Sequence, residues 1–343
     1  VRKTVKQENL VDIENPPCKA CYILCSADYD TRYKGASGGF VTELTRYLYE
    51  KGRIQTSINF QFSHTDELFT PSLIHSFDEY NQVGSIYHEI NIVKFVKDNL
   101  SEIRGTVLVV CLPCQARGLR VLLKKKGIDC IIVSLICSGQ TKIEGTLAFL
   151  KYRGLQVKDI HTFRYRGNGW PSGIMIETQE GRTIKDNNIG GDWGSFRKRP
   201  YSFSRCISCS DSFGSVADFT VGDPWYKEYK ANETTGCNVV GALTFLAVDV
   251  IECMLAGSFI HVKEKIDNET LLFSQESSIR GKKVRRENKQ LFAFFQKLMS
   301  SELYRIISNR NGAGFNKRIN KIVDLVIRIT LKLKKLARKG IGT

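Results

Sequence analysis

The sequence is first informative for what it lacks. No run of 18 apolar residues occurs in its 343 residues, which argues against a helix spanning a bilayer. No secretory signal is visible at its start. A glycine-rich loop ending in Lys-Ser or Lys-Thr is missing, which argues against that class of nucleotide triphosphatase. Gly167-Asn168-Gly169 lacks the third glycine and the following helix of a dinucleotide fingerprint. Paired His-Glu metal motifs are absent too. The five histidines (His64, His75, His88, His161 and His261) are scattered and read as surface or packing residues. Internal repeats and low-complexity tracts are also missing.

What remains is a globular composition, 42% hydrophobic and 25% charged, long enough for one large domain or two ordinary ones. Eleven cysteines stand out. Disulfide-rich secreted scaffolds are far shorter, and an odd count fits a closed set of bridges poorly. The expectation is a reducing, cytoplasmic compartment with several thiols used as ligands. Cys130, Cys237 and Cys253 lie in apolar stretches and read as small buried residues. Residues 280–343 hold 18 Lys and Arg against three acids, so 15 of the chain's +16 sits there. The body is near neutral, and a nucleic-acid partner is not expected. The chain divides on this reading into an extension (1–18), a catalytic domain (19–279) and a basic helical tail (280–343).

Apolar runs and periodicity set the fold class. Strands are expected over 19–25, 55–62, 106–111 and 130–136, and helices over 40–51, 90–100, 115–126 and 141–153. Such alternation gives an α/β fold, a mainly parallel sheet with flanking helices. Short strands over 160–165, 173–178 and 182–185 form an added small β-rich segment. Buried strands return over 219–221 and 239–245, and from about 248 the chain reads as helical.

The strongest chemical signal is Cys206-Ile207-Ser208-Cys209, two thiols able to ligate one metal from a single turn. Cys114, in Leu112-Pro113-Cys114-Gln115, and Cys137, in Ile136-Cys137-Ser138-Gly139, each follow a strand-like run. Together the four suit a zinc ion or an iron–sulfur cluster. Cys18, Cys21 and Cys25 lack the remaining cysteine of a ferredoxin run and read as structural thiols. Ser37-Gly38-Gly39 opens a helix, a form that serves as a helix cap or a phosphate cradle. In the tail, Ile319, Ile322, Val323, Val326, Ile329, Leu333 and Leu336 recur at helical spacing. Lys321, Arg328, Lys332, Lys335 and Lys339 fall largely on the other side. A basic amphipathic helix over 315–339 suits either docking on the body or contact with a membrane surface.

Four stretches in order resemble the β-subunit family of coenzyme F(420) hydrogenase/dehydrogenase, whose coenzyme is a deazaflavin. They are Ala36-Ser37-Gly38-Gly39-Phe40-Val41-Thr42-Glu43-Leu44, Leu112 through Leu119, Leu135 through Gly139, and Cys206 through Asp223. Phe163-Arg164 and Gly169-Trp170 add to the likeness. The resemblance implies an oxidoreductase holding FAD and a [4Fe–4S] cluster. It implies Cys114, Cys137, Cys206 and Cys209 as cluster ligands, Ser37, Gly38 and Gly39 near the FAD phosphates, and Asp223 and Trp225 beside the flavin or cluster. The implied partners are a small-molecule substrate, deazaflavin-like or polysaccharide-related, and a separate ferredoxin-like electron carrier, since no two-cluster ferredoxin run is present. Two departures stand out: Cys111-Leu112 replaces a Gly-Thr pair, and Ile86 in Ser85-Ile86-Tyr87 replaces a lysine. A zinc-stabilised interaction protein and a degenerate, non-enzymatic member are the alternative readings.

Overall fold

The computed structural model describes residues 18–187, 191–197 and 199–340. The expected extension, apart from Cys18, lies outside them. An eight-stranded sheet forms the body. Its strands are β1 (Ala20–Ser26), β2 (Thr56–Phe62), β3 (Phe69–Ile74), β4 (Val107–Cys111), β5 (Cys130–Leu135), β9 (Phe219–Gly222), β10 (Asn238–Ala242) and β11 (Ile260–Ile266). Their order across the sheet is β11-β1-β10-β9-β5-β4-β2-β3. The centre, β9-β5-β4-β2, is parallel, as the alternating pattern implies. Antiparallel strands flank it on both sides.

Alternation along the central strands buries both faces. Leu108, Ile131 and Val133 face one layer, built from α2 (Phe40–Glu50) and α8 (Phe245–Ala256). Val107, Val109 and Ile132 face the other, built from α3 (Ile92–Asp98) and α4 (Pro113–Lys125). In α2, Phe40, Leu44, Tyr47 and Leu48 are buried on the sheet. Each such side chain contributes about 1.5–3 kcal/mol by leaving water.

The β-rich segment is a meander of β6 (Ile160–Arg164), β7 (Ile174–Thr178) and β8 (Thr183–Asp186). It closes an aromatic core with α5 (Ile143–Tyr152) and α6 (Trp193–Phe196), centred on Phe149, Tyr165, Trp193 and Phe196. The short helices α1 (Tyr29–Lys34) and α7 (Lys227–Asn232) sit in loops of the main sheet. The chain ends in α9 (Asn268–Ser274), α10 (Glu276–Glu287), α11 (Lys289–Met299) and α12 (Glu302–Gly340). The division at 279/280 falls inside α10.

Two strands depart from the sequence expectation. β11 interrupts the region read as helical from 248, and β3 was not anticipated. Both lie at the ends of the sheet's strand order. β3 carries Pro71, which an edge strand tolerates. β11 carries exposed charges such as Lys263 and Glu264, a common protection of edges.

Candidate functional site at the C-terminal edge of the sheet

The parallel centre explains how distant motifs meet. Strands β4, β5 and β9 are neighbours and point the same way, so their C-terminal ends lie side by side at a spacing of about 4.8 Å. Leu112-Pro113-Cys114 follows β4, Cys137 follows β5, and Asp223 follows β9. In open α/β sheets, this edge is where ligands bind. The end of β1 and the start of β10 reach the same edge. There Ser26 N–H donates to Gly38 O at 2.7 Å, and Phe40 N–H donates to Asn238 Oδ1 at 3.2 Å.

Asp223 is the hub. Arg166 donates two hydrogen bonds to its carboxylate, both 2.8 Å long. Ser37 Oγ and Trp170 Nε1 each donate at 2.7 Å, and Gln275 donates to the Asp223 carbonyl at 2.7 Å. Burial alone would raise the Asp223 carboxyl. The Arg166 charge and the hydrogen bonds outweigh it and hold the group below the usual carboxylate range. The Arg166 side chain is 3% exposed, so the pair is desolvated. Trp225, half-buried, stacks obliquely on Trp170 with ring centres 5.3 Å apart. Lys230 lies 5.6 Å from the Trp225 ring centre.

Ser37, Gly38 and Gly39 form the loop that enters α2. The Ser37 hydroxyl is committed to Asp223. Gly39 (φ 79°) is the N-cap of α2. Gly38 lies so close to the next chain segment that a Cβ there would stand 2.7 Å from Cys237 Cα. Buried Cys237 sits beneath this loop, and buried Cys21 and Cys25 join apolar clusters under the sheet.

Cys114 is exposed in the first turn of α4, and Cys137 follows β5. Cys206 sits in a 3-10 turn, Ser204–Ile207, and Cys209 lies just beyond it. A hydrogen bond from Cys137 N–H to Ser212 O, 3.0 Å, ties the Cys206–Cys209 loop to the end of β5. The thiols lie near enough to act on one another. Burial pushes the Cys137 thiol up to about 11, with Cys206 and Cys114 adding to the rise and Lys282 opposing it. The Cys114 thiol is raised, first by desolvation and then by Cys209 and Cys206, against Arg205 and Lys282. Lys282, 3% exposed in α10, donates to Cys209 Sγ at 3.4 Å. Among the described residues, no three His, Cys, Asp or Glu side chains converge tightly enough to hold a single metal ion. The four thiols share a neighbourhood but do not form the close tetrahedron a zinc ion requires.

Two cavities open at this edge. One, of about 290 Å³, lies between the α2 entry loop and residues 80–90. The other, of about 650 Å³, borders Cys206, Trp225 and α10. Tyr87, Ile136, Ser138, Gly139, Gln140 and Asp223 belong to the walls of both. His88, which the scattered histidine pattern did not single out, lines the smaller one and is 2% exposed. Its Nδ1 meets the Tyr165 hydroxyl at 2.7 Å, and that hydroxyl also meets Thr146 Oγ1 at 2.6 Å. Its Nε2 is buried without a hydrogen-bond partner. Burial pushes the imidazole down to about 4, so it is neutral at pH 7. Where a lysine was expected, Ile86 packs against the aromatic core.

Residues 105–268 match a family model that describes the C terminus of the beta subunit of coenzyme F(420) hydrogenase/dehydrogenase. A chain of the F(420)-reducing NiFe hydrogenase complex from Methanosarcina barkeri is similar in fold. The TM-score is 0.60 at 14% identity, covering 80% of this chain and 93% of that one. No curated protein matches the chain.

Proposed function

From its membership, over residues 105–268, of the coenzyme F(420) hydrogenase/dehydrogenase β-subunit family, we propose that the chain is a flavin- and iron–sulfur-dependent oxidoreductase subunit. One observation carries this reading. Three adjacent parallel strands deliver Cys114, Cys137 and Asp223 to one edge, and the Cys206–Cys209 loop is tied to the same edge.

The donor set fits a [4Fe–4S] cluster in number and chemistry. Its four ligands sit around an inorganic core rather than one ion, so they need not touch. Cys114, Cys137, Cys206 and Cys209 would hold it. The smaller cavity fits a flavin ring in character. Pockets for such ligands are mainly apolar with a few placed polar groups, and Ser37, Asn59 and Gln115 line this one. Ser37, Gly39 and Asp223 would flank that ligand, whereas Trp225 lines the larger cavity. When bound, the two groups supply single-electron transfer and hydride exchange.

The chain's own residues position and insulate. Asp223, which borders both cavities, fixes Arg166 and Ser37 in the wall of the smaller one and holds Trp170 behind it. Lys282 donates to Cys209 Sγ and to the Asp211 carbonyl, which holds the Cys206–Cys209 loop against α10. The larger cavity would take the small-molecule substrate, of deazaflavin or polysaccharide-related type. A ferredoxin-like carrier would exchange electrons through the exposed Cys114 side, in a reducing, cytoplasmic setting.

Anaerobic purification, followed by iron, sulfide and flavin analysis and a visible spectrum, tests the reading. About four iron and four sulfide per chain are expected, with flavin absorbance. Cys206→Ser combined with Cys209→Ser is expected to lose the iron. A colourless protein after reconstitution refutes the proposal.

A further inference from the structure

Helix α12 has two apolar faces, and the body uses one of them. Val323 and Ile327 are buried against Met299 of α11, and Ala313 enters the aromatic core of α5 and α6. Lys317 reaches Asp192 at 2.8 Å and fixes the helix there. A second set points away. Ile322, Leu325, Val326, Ile329, Leu333 and Leu336 are 40–59% exposed. At 3.6 residues per turn they fall within an arc of about 100°. That arc lies roughly 130° around the helix from Val323 and Ile327.

Charge identifies what this stripe meets. Exposed Lys321, Arg328 and Lys332 line one flank, and exposed Arg318 stands at its N-terminal end. Asp324 is the single acid after Glu302, and it borders the larger cavity instead. The side chains of Lys335 and Lys339 lie outside the described ones. A second copy of the chain would set the same basic flank against itself. No described helix is long and apolar enough to cross a membrane.

We propose that the outward stripe of α12 seats the protein on an anionic membrane surface, with the six apolar side chains entering the headgroup boundary and the basic flank facing acidic lipid. The arrangement suits an interfacial helix lying in the membrane plane. It is independent of the redox reading, since no residue of the stripe touches the cavities or the four thiols.

The test is sedimentation of the full chain with vesicles of phosphatidylcholine alone and of phosphatidylcholine with about one-third phosphatidylglycerol. Partition is expected to be at least about 10-fold stronger on the anionic vesicles and to fall at roughly 0.5 M salt. Ile329→Asp with Leu333→Asp is expected to weaken it by at least about 10-fold, with circular dichroism and thermal unfolding unchanged. Replacing Lys321, Arg328 and Lys332 with Gln is expected to remove the preference for anionic lipid. Equal partition on both vesicles, no partition, or binding insensitive to the stripe variant overturns the proposal. So does a wild-type dimer that the stripe variant dissociates and that does not bind vesicles. Because the stripe is exposed, loss of folding is not an expected route to failure.

Discussion

Asp223→Asn isolates the hub of the candidate site. The change keeps the shape of the side chain and one carbonyl oxygen, so Ser37 and Trp170 retain an acceptor. It removes the negative charge opposite Arg166 and turns an amide N–H toward a guanidinium that donates at 2.8 Å. Arg166 is then a buried, uncompensated cation. Breaking a buried pair in this way costs about 3–5 kcal/mol. That is a large share of the 5–15 kcal/mol typical of a folded domain. Urea denaturation of the full chain at pH 7 measures it. The sign of the pH dependence follows from the depressed Asp223 carboxyl. Its stabilisation is complete above the ordinary value of 3.8 and is lost as pH falls through the lower folded value. Asp223→Asn should therefore remove part of the acid limb below about pH 4. Arg166→Met with Asp223→Leu should recover much of the loss, because an apolar pair leaves no orphaned charge. A shift under about 1 kcal/mol with an unchanged acid limb would refute the assignment of a desolvated ion pair.

Other perturbations give distinct readouts. His88 has its folded value depressed from 6.5 to about 4, so the stability it contributes is complete above 6.5 and declines as pH falls toward 4. That decline is about 3 kcal/mol, and His88→Phe should flatten it in denaturation curves taken at pH 7 and pH 4, as well as reduce retained flavin. Gly38→Ala places a Cβ 2.7 Å from Cys237 Cα, against backbone that cannot yield cheaply. A loss of about 1–3 kcal/mol in thermal or urea unfolding is expected, and a neutral result would show that the loop is not packed there. Lys282→Met removes an ammonium 3.4 Å from Cys209 Sγ, an interaction on the order of a few kcal/mol for a thiolate. Iron bound per chain after reconstitution should fall, with Lys282→Arg restoring part of it.

The sequence carries the central strands because they are buried on both faces and read as continuous apolar runs. Val107–Cys111 and Cys130–Leu135 are of this kind. It does not carry β3, which is interrupted by Pro71, or β11, whose exposed charges erase the pattern. The Cys206–Cys209 pair stood out from its local spacing, but the placement of Cys114 and Cys137 at one edge rests on strand order, which no local window records. Arg166 had no local signal, and its role appears only through Asp223, 57 positions away. The neighbouring motif residue Arg164 points elsewhere, donating to Lys34 O. His88 was unmarked for the same reason, because its partners Tyr165 and Thr146 lie in other elements.

The direction of β10 accounts for the way the entry loop and the hub are built as one unit. β9 is the last parallel strand, so it delivers Asp223 at its C-terminal end. β10 runs the other way, so it delivers Cys237 and Asn238 at its start, at the same edge. The Ser37–Phe40 loop is held between them. Ser37 binds Asp223, Phe40 N–H binds Asn238, and Gly38 rests on the Cys237 backbone. A Cβ at Gly236 would overlap Ser37 O, so this crossing requires a residue without one on each side. Had β10 been parallel, its start would lie at the opposite edge and the loop would lose two of these three supports. The reversal of strand direction beside β9 thus fixes the loop against the carboxylate, and Asp223, which borders both cavities, in turn fixes Arg166 and Trp170 by hydrogen bonds.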